Sequence, residues 1–162
     1  MYDPEPLVLR AAAHPDRTVH RFGFDLDHPY LEQCWTPIIG PSATILLRRA
    51  TALWRNAEPA HTTFGQLAGE IGLSPANMRR VLHRVRQFGF ATPLEDAGVV
   101  DIYSTAAPLA QRHLDRVPES TVRTHHQLLS EHLTHALEPA PVAIVQRLDR
   151  LQHQTVAPGL SR

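Results

Sequence analysis

Between Ile71 and Leu94 the chain places Arg79, Arg80, Arg84 and Arg86 and no acidic residue. Guanidinium groups gathered without a counter-charge suit a polyanion, because each offers a planar fork of donors that matches phosphoryl oxygens or the edge of guanine. Asn77 and Gln87 add amides that can pair with adenine, and His83 adds an imidazole. At about 100° per residue, a helix through this stretch puts Ala76, Arg80, His83 and Gln87 opposite an apolar stripe of Met78, Val81, Leu82 and Val85. Asn77 and Arg84 flank that outward face on one side, and Arg79 and Arg86 on the other.

Other reactive groups form weaker constellations. His125, Glu131, His132 and His135 share a helical stretch, but His125 lies about two turns, roughly 10 Å, from His132. The single cysteine, Cys34, sits beside Trp35 on an apolar segment and reads as a core thiol. Neither set has the donors of a structural zinc site. There is no HExxH, no glycine-rich phosphate loop, no nucleophile elbow and no paired-carboxylate constellation. The expectation is a non-enzyme with no metal and no cofactor.

The elements that must position the arginines are written locally. Thr63 with Gln66 is a capping-box pattern that starts a helix. Leu67, Ala68 and Ile71 form its inner side, and Ala68 is small enough for a second helix to cross closely. Gly72 suits a tight turn that needs positive φ. Leu73 plugs the corner, Ser74 caps the second helix, and Pro75 fills its first turn. Phe88-Gly89-Phe90 ends that helix. Ala91 to Leu94 and Val99 to Tyr103 then flank Glu95-Asp96-Ala97-Gly98, a hairpin pattern.

In this order the residues from Ile45 to Tyr103 resemble the winged helix-turn-helix of bacterial transcriptional regulators. Pro29-Tyr30-Leu31-Glu32 and the segment from Arg112 to Pro118 also resemble small actinobacterial proteins, a likeness that brings no function with it. The first resemblance implies a mainly α fold: a winged helix-turn-helix with a short β-hairpin wing and additional N- and C-terminal helices. It implies sequence-specific binding of double-stranded DNA by Pro75 to Phe88 in the major groove, with Ser74, Ala76, Asn77, Arg79, Arg80, His83, Arg84, Arg86 and Gln87 at the interface. The wing tip departs from the pattern. Glu95 and Asp96 stand where a minor-groove wing needs basic residues, so the tip is expected to meet a protein instead.

The rest of the chain is expected to frame that domain. Residues 1–17 hold Pro4, Pro6 and Pro15 and read as a flexible arm. Residues 18–104 form the domain, opening with a strand from Val19 to Leu26 and a helix capped by Asp27, then a helix from Ser42 to Trp54. Residues 105–153 supply helices from Pro108, from Ser120 to Leu137 and from Val142 to Gln152, expected to form a homodimer. Residues 154–162 are a tail.

Composition sets outer bounds. Sixteen basic residues, all arginine, balance sixteen acidic ones, so no global charge favours nucleic acid. The longest uncharged run, Gln33 to Leu47, is broken by Pro37, Gly40 and Pro41 and is too short to span a bilayer. With a lone cysteine and no basic N-terminal leader pattern, the expected setting is cytoplasmic, at the nucleoid. The alternative reading, favoured by zero net charge and the acidic tip, is a protein-interaction module of the transcription or chromosome-maintenance machinery.

Overall fold

Leu7, Val8 and Leu9 lie in a strand, β1 (Pro6–Ala12), at the centre of a three-stranded sheet. The computed structural model describes residues 4–137, and the chain divides into units Met1–Leu129 and Ser130–Arg162. The elements between are α1 (Arg17–Phe22), β2 (Phe24–Asp25), a π-helical turn (Leu31–Trp35) running into α2 (Thr36–Ile39), and α3 (Pro41–Trp54). There follow β3 (Ala60–Thr63), α4 (Phe64–Glu70), α5 (Pro75–Gln87), β4 (Val99–Tyr103), β5 (Thr105–Ala106), α6 (Gln111–Leu114) and α7 (Glu119–Leu137).

The sheet order is β3-β1-β4. β1 runs antiparallel to β3, with Leu7 opposite Thr62, and parallel to β4, with Leu9 opposite Val100. A separate antiparallel pair joins β2 to β5. Leu7 and Leu9 are fully buried and meet Phe64, Leu67, Met78, Val85 and Ile102 in one core that continues through Leu46, Leu47, Trp35 and Tyr30.

This is a mixed α/β fold, which corrects the mainly α, winged-helix expectation. The arm expected over residues 1–17 instead supplies the central strand. Of the expected wing only the return limb, β4, is a regular strand. Its first limb, Ala91 to Leu94, stays alongside β4: the Thr92 N–H donates to the Asp101 carbonyl at 2.9 Å, the Tyr103 N–H to that of Phe90 at 2.8 Å and the Glu95 N–H to that of Val99 at 2.8 Å, around the bridge from Ala91 to Ile102, while Pro93 has no N–H to give. β4 gives its other edge to β1. Upstream, the strand expected from Val19 to Leu26 survives only as β2, because the Asp16 carboxylate accepts from the Thr18 and Val19 N–H groups and starts α1. Asp27 is not a cap but pairs with Arg55 at 2.7 Å, and the His28 imidazole accepts from the Tyr30 N–H at 3.0 Å. The helix expected from Pro108 is only the short α6. The segment Val142 to Gln152, with Ile144, Leu148 and Leu151, and the tail 154–162 lie outside the described residues.

Tyr30 ties the core to the start of α7. Its hydroxyl accepts from the Leu109 N–H at 2.8 Å and lies 2.6 Å from His125 Nδ1. The phenol donates to Nδ1 or accepts from it according to the imidazole tautomer. Burial, with the neighbouring His126 adding to it, lowers the His125 pKa below its ordinary value. Burial lowers His14 and His113 in the same direction. The unfolded chain therefore binds more protons below about pH 6.5 than the native one. Their contribution to stability is complete above that pH and is lost as the pH falls through the folded pKa values. The urea midpoint is expected to drop between pH 7.5 and 5.5; a midpoint that rises on acidification would contradict the lowered pKa values. Cys34 is a buried core thiol, and burial pushes its pKa up to about 11.

Candidate functional site

α4, the turn and α5 follow the local rules of their sequence. The Thr63 hydroxyl accepts from the Gln66 N–H at 3.1 Å, while the Gln66 side chain donates to Glu70 at 3.3 Å rather than closing the capping box. Gly72 takes φ of +74°, in the left-handed region that favours glycine. The Leu73 N–H donates to the Ala68 carbonyl at 2.8 Å, and the Ser74 hydroxyl accepts from Asn77 N–H at 3.3 Å. α5 then buries Met78, Leu82 and Val85, with Val81 half-buried. Its inner face is the one expected.

The outward residues separate into groups that sequence alone did not distinguish. Ala76, Asn77, Arg80, His83, Arg84, Arg86 and Gln87 are exposed, as is Ser74 at the cap. Arg79 is withdrawn. Its guanidinium pairs with the carboxylate of Glu5, just before β1, and lies 4.0 Å from the centre of the Phe64 ring. Arg84 donates to the Ile38 carbonyl at 3.0 Å, which aims its head past the end of α2. Arg80 and Arg86 have no ion-pair partner among the described residues. α5 contains no acid, so its open face holds Arg80, Arg84 and Arg86 with amides at Asn77 and Gln87.

Two depressions border this face. One, of about 410 Å³, lies between α5 and the start of α3 and is lined by Arg80, Arg84 and Gln87 with Gly40, Pro41 and Ser42. The other, of about 690 Å³, shares Arg84 and Gln87 and adds Pro37, Ile38, Phe88, Arg112, His113 and Arg116. Sequence reading missed this second set. The arginines at 112 and 116 were visible as residues, but nothing local says that α6 returns to the end of α5.

The acidic tip is partly neutralised. Arg10 donates to Asp101 at 2.6 Å and stands 3.6 Å from Glu95. The Asp101 carboxylate raises the Arg10 pKa above its ordinary value. Asp96 and Leu94 stay exposed beside it. Among the described residues, no helix is long and apolar enough to cross a membrane.

No family model matches the chain, and no curated protein does. Among solved structures the chain is similar to primosome protein DnaB (residues 1–300) from Geobacillus stearothermophilus, at 13% identity and a TM-score of 0.43. That overlap spans 99% of this chain and 54% of the other, so this chain matches about half the length of that protein. A likeness this weak carries no argument about fold or function.

Proposed function

We propose that the chain binds duplex DNA, with α5 as the contacting helix and transcriptional regulation as its use. The observation that carries this reading is the open face of α5: Arg80, Arg84 and Arg86 outward, the first and last without an ion-pair partner among the described residues, and no acid on the helix. A helix about 10–12 Å across fits the major groove. Its arginines can fork onto guanine or clamp phosphate, and Asn77 and Gln87 can pair with adenine edges. Arg79 supports the face from behind instead of joining it.

Salt dependence tests the reading. If two or three arginines per chain neutralise phosphates, the logarithm of the binding constant falls against the logarithm of salt concentration with a slope of about −2 to −3 per chain. Fluorescence anisotropy of a labelled duplex across a salt series measures it. A flat response, or no binding at low salt, would end the reading.

The acting species in this proposal is a homodimer, since one such helix covers one half-site. Leu133 and Leu137 of α7 are 36% and 73% exposed, apolar surface available for a second chain. A monomeric mass by light scattering, unchanged with DNA bound, removes this part. A protein-interaction role has one observation in its favour: Leu94, 37% exposed, adjoins Glu95 and Asp96 at the tip. It becomes the better reading if the duplex titration fails.

A further inference from the structure

The cavity at the C-terminal end of α5 has features that duplex binding does not require. Arg112 on α6 and Arg116 just beyond it bring two guanidiniums to the side where Arg84 already lies. Neither has an ion-pair partner, and no acid lines the cavity among the described residues. Like charges brought together repel, and a bridging anion would relieve that repulsion. The facing wall is apolar, built from Pro37, Ile38 and Phe88. His113 sits against it, 5.2 Å from the Trp35 ring, with its Nδ1 enclosed and without a hydrogen-bond partner. At about 690 Å³ the cavity has the size of a small-molecule site.

We propose that this cavity binds a small organic phosphate, a phosphate monoester with an apolar or aromatic body. Its phosphoryl oxygens take the guanidiniums of Arg112, Arg116 and Arg84, and its body lies against Ile38 and Phe88. A dianion matches this number of cations better than a single carboxylate does, and the fork of arginine fits phosphoryl oxygens in pairs. The inference does not depend on the duplex reading, although Arg84 belongs to both.

Phenyl phosphate titrated calorimetrically into the full chain at low salt is the test. Saturable binding of one ligand per chain is expected with a Kd below about 1 mM, and tighter than that of inorganic phosphate. Arg112→Ala with Arg116→Ala is expected to weaken it about tenfold or more, each lost charged hydrogen bond being worth roughly that factor. Arg116→Gln alone should weaken it several-fold. Arg80→Ala with Arg86→Ala should leave it unchanged, as should Arg123→Ala, which removes an exposed pair with Glu119 on α7. Absence of saturable binding, equal affinity for phenyl phosphate and inorganic phosphate, or a Kd unmoved by the Arg112 and Arg116 variants overturns the proposal. If those variants lose duplex affinity while phenyl phosphate never binds, the two arginines belong to a DNA backbone contact; the proposal falls and the duplex reading stands. If phenyl phosphate binds a chain that binds no duplex, the proposal stands and the duplex reading falls.

Discussion

Arg80→Ala combined with Arg86→Ala is expected to abolish most duplex binding, with a loss of about 2–4 kcal/mol per bound chain. Both side chains are exposed and lack a salt-bridge partner among the described residues, so their removal leaves no orphaned group there and the fold should be unaffected. The salt slope should shrink by about one for each phosphate contact removed. Arg79→Ala is the internal contrast. Its guanidinium is engaged by Glu5 and the Phe64 ring, so its loss should change duplex affinity little. Anisotropy titrations at two salt concentrations, with circular dichroism of each variant, separate these outcomes. Equal affinity in wild type and the double variant would mean that α5 does not face DNA. A loss at Arg79 as large as that of the double variant would mean that binding pulls it away from Glu5.

Gly98→Ala should destabilise the protein by about 3 kcal/mol, a fall in Tm of roughly 10 °C. Gly98 takes φ of +75°, which costs a residue with a Cβ about 1–2 kcal/mol. It also passes directly under β1. A Cβ built there would stand 2.2 Å from the Pro6 carbonyl oxygen, a backbone atom that cannot rotate aside. Relief requires β1 to move, which breaks the 2.8 Å hydrogen bond from Val8 N–H to the Gly98 carbonyl and strains the parallel register with β4. Because Glu5 precedes β1 directly, the same movement would disturb its pair with Arg79. Gly69→Ala is the matched control: a Cβ there meets nothing within 4 Å on α4, and the better helix propensity of alanine should hold or raise Tm. Thermal melts of both variants decide it. A melt of Gly98→Ala at the wild-type temperature would show that β1 is not held through this contact.

The two substitutions bracket what could be read without coordinates. The turn between α4 and α5 was legible because every interaction that makes it acts within about five residues: Thr63 on Gln66, Ser74 on Asn77, the Leu73 N–H on Ala68, positive φ at Gly72. Such contacts are encoded by residue type and spacing alone. The inner stripe of α5 follows from helical periodicity for the same reason. Cys34 as a core thiol needed only its apolar neighbours.

The sheet was not legible, and with it the fold class. Pro6 to Ala12 has no alternation that announces a strand, and it becomes one only because β3 and β4, more than fifty and ninety residues away, offer edges on both sides. The N-terminal strand then takes the other edge of β4, so the hairpin that spacing suggested becomes the border of a sheet and not a free wing. The same long-range closure sorts the arginines. On the helical wheel Arg79 and Arg86 share one flank; in the folded chain Glu5, 74 residues earlier, claims the first and leaves the second open. Arg112 and Arg116 are unremarkable in sequence until α6 brings them beside Arg84. Periodicity decided which residues of this protein face outward, whereas tertiary contact decided which of those charges remain unpaired, since a charge pair depends on distance in space and not on separation along the chain.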